Sequence, residues 1–99
     1  MAHSVQLSHT AALILRTISS GHRYGFDLMD VIGLPSGTIY PALRRLERDG
    51  LIESEWEQVE VAHVKQRPAR KYYTISKAGR AALQDAMGRY PLLRHLVSK

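Results

Sequence analysis

The stretch that most constrains this chain runs from Ser36 to Ile52: Ser-Gly-Thr-Ile-Tyr-Pro-Ala-Leu-Arg-Arg-Leu-Glu-Arg-Asp-Gly-Leu-Ile. Laid out at about 100° per residue, Ile39, Ala42, Leu43 and Leu46 share one apolar arc, as in an amphipathic helix. Arg44, Arg45 and Arg48 share the opposite side, with Gly37, Tyr40 and Pro41 inside or bordering their arc. Gly50 is placed to end the helix in the left-handed conformation that costs glycine little. Ser36, Gly37 and Thr38 put small side chains and free N–H groups at the positive end of the helix dipole, where phosphate oxygens bind well. Pro41 leaves two starts open. With Thr38 as the N-cap it falls in the first turn and misses no hydrogen bond; with Ser36 as the cap its ring meets the Gly37 carbonyl. An apolar back and a three-arginine front suit a helix pressed on a fold on one side and on an anion on the other. The plain alternative is an arginine face turned to water.

Charge distribution favours the anion. Six carboxylates lie between Glu47 and Glu60 against the single base Arg48, whereas Val61 to Gln84 holds none against Lys65, Arg67, Arg70, Lys71, Lys77 and Arg80. A net charge of +5 and a pI near 9.9, gathered in one segment, read as a polyanion-binding face. Ninety-nine residues, 44% of them hydrophobic, form one domain with a modest core. The absence of cysteine excludes disulfides and thiolate metal sites. No apolar run reaches the ~18 residues of a membrane span and the N-terminus has no signal-peptide pattern, so a soluble cytoplasmic protein is expected.

Taken in order, Ser8 or Thr10 caps a first helix reaching about Ser20, apolar over most of its circumference through Ala12, Leu13, Ile14, Leu15 and Ile18. A second helix spans Tyr24 to about Ile32 with Phe26, Met29 and Ile32 inward, and Gly33-Leu34-Pro35 turns the chain into the arginine helix. After Gly50 the period becomes two: Ile52, Ser54 and Trp56 face one way, Glu53, Glu55 and Glu57 the other. Arg70 to Ile75 is the second β-prone run. Gln58 to Ala69 is too long for a tight turn, and its Val59, Val61 and Val64 either extend the strands or pack a local excursion. Lys65, Arg67, Arg70 and Lys71 stand at or near the hairpin tip. Ser76 caps a last helix to about Tyr90 carrying Ala82, Leu83, Ala86 and Met87, followed by Pro91 and the apolar Leu92, Leu93, Leu96 and Val97. This stripe exceeds what so small a core needs, which points to a partner.

The fold class expected is mainly α with a small β-hairpin: a winged helix-turn-helix over residues 8–75 and a C-terminal helix over 76–99, within a single domain 1–99. Three blocks carry a family resemblance: Tyr24-Gly25-Phe26-Asp27-Leu28, Gly37 through Ile52, and Arg67-Pro68-Ala69-Arg70-Lys71-Tyr72-Tyr73-Thr74-Ile75-Ser76-Lys77-Ala78-Gly79. Together they cover about a third of the chain, which resembles PadR-family transcriptional regulators, although its second helix and turn are several residues shorter than that pattern. The resemblance implies DNA contacts at Thr38 and Tyr40, and a dimer built by the last helix together with the first. Some PadR-like regulators bind flat aromatic compounds between their last helices, around a tryptophan there. The only tryptophan here, Trp56, lies in the wing strand, so an effector stays open and no ligand is named.

Double-stranded DNA is the expected partner. Arg44, Arg45 or Arg48 can pair with guanine edges or phosphate in the major groove. Ser36, Gly37, Thr38, Tyr40 and Pro41 line the helix start, where hydroxyls fix register on phosphates; Lys65, Arg67, Arg70 and Lys71 line the wing. Leu13, Leu83, Met87, Tyr90, Leu93 and Leu96 are the expected homodimer contacts. A dimer of this kind reads an inverted repeat and represses by blocking polymerase. The five histidines show no metal-ligand spacing, and no phosphate-binding loop or nucleophile elbow is present, so neither enzyme activity nor a cofactor is expected. The competing reading is a winged-helix protein-interaction module that meets an acidic protein.

Overall fold

The computed structural model describes residues 7–93. Along the chain come α1 (His9–Ser19), α2 (Gly25–Ile32), α3 (Ser36–Arg48), β1 (Ile52–Trp56), α4 (Val59–Val64), β2 (Lys71–Ile75) and α5 (Lys77–Arg89). Helices α1 to α3 pack on one another, and the antiparallel hairpin β1–β2 lies against them with α5. Ser8 caps α1 through its side chain, which accepts from the Ala11 N–H at 3.0 Å. Ala12, Ile14, Leu15 and Ile18 are buried, and Leu28, Ile39, Leu43, Ile52 and Leu93 complete the centre of the core.

One sequence expectation changes and two open alternatives are decided. Phe26 points outward and is 75% exposed; Leu28, on the opposite side of α2, is the residue that enters the core. The arginine helix takes the early start, at Ser36 with Pro35 as its cap, so Pro41 lies inside it. The first turn is held by the Pro35 carbonyl, which accepts from Thr38 and Ile39 N–H at 2.9 and 3.0 Å. The connection from Gln58 to Ala69 neither lengthens the strands nor turns its valines inward. It forms α4, which buries Ala62 and leaves Val59 and Val64 72% and 80% exposed. Helical hydrogen bonding inside the excursion satisfies backbone groups that a free loop would leave to water.

The hairpin pairs Ile52 with Ile75, Ser54 with Tyr73 and Trp56 with Lys71 on one face, and Glu53 with Thr74 and Glu55 with Tyr72 on the other. Burial on the first face fades outward, from Ile52 in the core to Trp56 at 64% exposure. The hairpin is tied at both sides. Tyr73 N–H donates to the Arg23 carbonyl at 2.7 Å, beside a Tyr24–Tyr72 bridge. At its base, Ser76 N–H donates to the Leu51 carbonyl at 3.0 Å and Ser76 Oγ donates to the Gly50 carbonyl at 2.7 Å, while the same oxygen accepts from Gly79 N–H. Gly50 adopts φ 76°, the turn out of α3 that its sequence position predicts.

Candidate nucleic-acid interface

Helix α3 divides as its periodicity dictates. Ile39, Ala42, Leu43 and Leu46 are buried, and Arg44, Arg45 and Arg48 are exposed on the far side. Arg48 lies 3.3 Å from Asp49 at the surface, whereas Arg44 and Arg45 have no ion-pair partner among the described residues. Ser36, Gly37 and Thr38 are exposed at the helix start, and Pro41 is half-buried. Pro41 has no N–H to offer the Gly37 carbonyl one turn earlier. Tyr40 lies across the beginning of α2: a Cβ added to Gly25 would sit 2.1 Å from the Tyr40 hydroxyl oxygen. The glycine of the Tyr-Gly pair at 24–25 is therefore the seat of a ring on the arginine helix.

The wing residues are placed less uniformly. Lys65 is exposed at the end of α4. Arg67 is turned onto Glu57, with Nη1 donating to Oε1 at 2.6 Å and Nη2 to Oε2 at 2.9 Å, a two-pronged pairing. The Arg70 guanidinium stacks over the Tyr24 ring at 4.0 Å. Lys71 reaches Glu47 at 3.8 Å and lies 5.8 and 5.9 Å from the centres of the Trp56 and Tyr73 rings. Glu47 also accepts from Ser54 Oγ at 2.6 Å, which links α3 to β1. Between α3, the start of α2 and the wing runs a groove of about 710 Å³ whose walls include Tyr24, Phe26, Tyr40, Arg44, Trp56 and Arg70. The structure thus brings Tyr40, Arg44, Arg67, Arg70 and Lys71 around one groove, with Arg45 and Arg48 farther along α3 and Lys65 beyond the wing.

Glu57 was not legible as part of this face. Hydrogen bonding from Arg67, aided by the Arg70 N–H, holds its carboxyl down at about 2. Arg67 is correspondingly raised above its ordinary value, first by the same hydrogen bonding. Burial raises the Tyr73 phenol. The sequence places Tyr24 at the start of the second helix, Phe26 inward and Trp56 in the wing strand, none of them at the groove. Their common signal, aromatic residues flanking both basic segments, is visible only once the hairpin folds back onto α2.

Of the expected dimer contacts, Leu83 and Leu93 are buried within the chain itself, and Leu13, Met87 and Tyr90 are partly exposed. Leu96 lies outside the described residues. Tyr90 Oη donates to the Leu7 carbonyl at 3.3 Å and its ring meets His9 edge-on, joining the end of α5 to the beginning of α1. Among the described residues no helix is long and apolar enough to cross a membrane, and no group of three or more acidic or histidine side chains is disposed to hold a metal.

Three helices with an exposed basic third helix, followed by a two-stranded hairpin packed beside it, define a winged helix-turn-helix. Residues 14–85 match the transcriptional regulator PadR-like family, and the chain belongs to that family of transcriptional regulators. A PadR-like transcription factor from Bacteroides fragilis superimposes with a TM-score of 0.70 at 26% identity, over 89% of this chain and 85% of that one. A PadR family regulator from Clostridium difficile reaches 0.74 at 23% identity, covering 88% and 92%, and shares the fold. In sequence, the transcriptional regulator Rv3488 of Mycobacterium tuberculosis is 47% identical over 49 residues, which are 50% of this chain and 40% of that protein.

Proposed function

We propose that this chain is a cytoplasmic repressor that binds an inverted-repeat operator as a homodimer. Helix α3 lies in the major groove and the wing follows the adjacent backbone. The observation that carries this reading is the exposed Arg44–Arg45–Arg48 face of α3, whose other side is wholly committed to the core. Arg44 and Arg45, free of carboxylates, are available to guanine edges or phosphates. Ser36, Gly37 and Thr38 at the positive end of α3, with Tyr40 beside them, set the register on phosphates. Arg70 and Lys71 extend the basic surface across the groove. In the dimer, the exposed parts of Leu13, Met87 and Tyr90 meet their counterparts, and two-fold symmetry makes the operator palindromic.

The test is fluorescence anisotropy on DNA from the promoter region of the chain's own gene, with scrambled competitor and a salt titration. Tight binding that scrambled DNA does not displace is expected, with log affinity falling by about 0.9 per neutralised phosphate for each unit of log salt. Binding indifferent to sequence would defeat the operator reading and favour an acidic protein as the partner.

A further inference from the structure

The hairpin does not hold its basic stretch by β pairing alone. Strand pairing ends at Trp56 and Lys71, and beyond it the chain makes the excursion through α4 before returning at Arg67. Two contacts close that excursion. Glu57 N–H donates to the Arg70 carbonyl at 2.7 Å. The Glu57 carboxylate, only 8% exposed, accepts both prongs of Arg67 and also the Arg70 N–H at 3.2 Å. One acid therefore fastens the first residue of the basic stretch by its side chain and the fourth by its backbone. Arg67 is spent in the pairing, and Nη1 also donates to the Pro68 carbonyl at 3.3 Å.

We infer that Glu57 and Arg67 act as one positioning unit, a clamp that sets Arg70 and Lys71 facing the groove beside α3, and that Arg67 itself is not a phosphate contact. The inference rests on the DNA-binding reading and makes a prediction whose sign opposes simple electrostatics. Removing an acid beside a DNA-binding face ordinarily strengthens binding. Removing Glu57 weakens it, because two other cations lose their placement.

The experiment compares Glu57→Gln, Arg67→Gln and the double variant. Operator affinity is measured at several salt concentrations, and acrylamide quenching of Trp56, the only tryptophan in the chain, is measured without DNA. Each single variant is expected to lose about fivefold or more in affinity and to flatten the salt slope by about one phosphate contact. The double variant is expected to be no worse than either, the non-additivity of a single unit. Glu57→Asp, which keeps the charge and shortens the reach, gives a smaller loss and guards against misfolding of the neutral variants. Tighter binding by Glu57→Gln, or additive losses in the double variant, overturns the clamp and returns Arg67 to the phosphate contacts. If the unaltered protein shows no operator binding, the function proposed above fails and the quenching decides the clamp. Trp56 more accessible in both single variants, and no further in the double, supports it; unchanged quenching in all three overturns it.

Discussion

At the scale of single residues, the face of α3 is where sequence and structure agree most closely. Burial of Ile39, Ala42, Leu43 and Leu46 follows from a period of 3.6 alone, and the arginines are exposed because nothing apolar competes for their side. Truncating Arg44 to Ala is expected to cost about 1–3 kcal/mol in operator binding and to relax base preference at one position of each half-site; a panel of single-base operator variants would show it. Gly25→Ala should act differently. The added methyl collides with the end of the Tyr40 side chain rather than with backbone, so the ring swings away while the fold survives. Melting should change little and DNA affinity should fall. Glu57 adds a pH signature. Its carboxyl is depressed in the folded chain to about 2, from an ordinary 4.5, chiefly by Arg67. The stability it contributes is therefore complete above about pH 4.5 and is lost as pH falls toward 2. An acid titration of Glu57→Gln should lack that part of the curve.

At the scale of elements, α1, α2, α3, α5 and both strands were legible within a residue or two because capping residues and glycine turns bracket them. Ser8, Gly33, Gly50 and Ser76 each stand where an element begins or ends. The wing's interior was not legible. Val59, Val61 and Val64 favour strands by composition, yet the segment folds as a helix with Ala62 buried. The Glu57–Arg67 pairing is hidden for a related reason: ten residues separate the partners, and the hairpin register together with α4 brings them back together. Phe26 shares the helical spacing of Met29 and Ile32, yet Leu28 is the residue that enters the core. Two substitutions probe how the elements are joined. Leu43→Ala, in a fully buried position, is expected to destabilise by about 2–5 kcal/mol. Gly79→Ala would set a methyl 2.0 Å from the Leu51 carbonyl oxygen, and the forced shift of backbone should cost about 1–3 kcal/mol. Chemical denaturation measures both.

At the scale of the whole molecule, the basic groove and the C-terminal helix lie on separate parts of one framework, and α1 belongs to both. Its inward side fills the core, and its beginning receives Tyr90. Leu83 and Leu93 are already covered within the chain, so the proposed dimer would draw on what remains exposed around Leu13, Met87 and Tyr90. Sedimentation equilibrium should report twice the 11.2 kDa chain mass, and Met87→Glu should return it to the single chain with the helical spectrum intact.

Ser76 gives the framework a mechanical property. One hydroxyl both caps the start of α5 and grips the carbonyl at the root of β1, and its amide holds the next carbonyl along. The hairpin is thus a lever whose fulcrum is welded to the first turn of α5. Losing the Ser76 hydroxyl would therefore loosen the base of the hairpin and the first turn of α5 together.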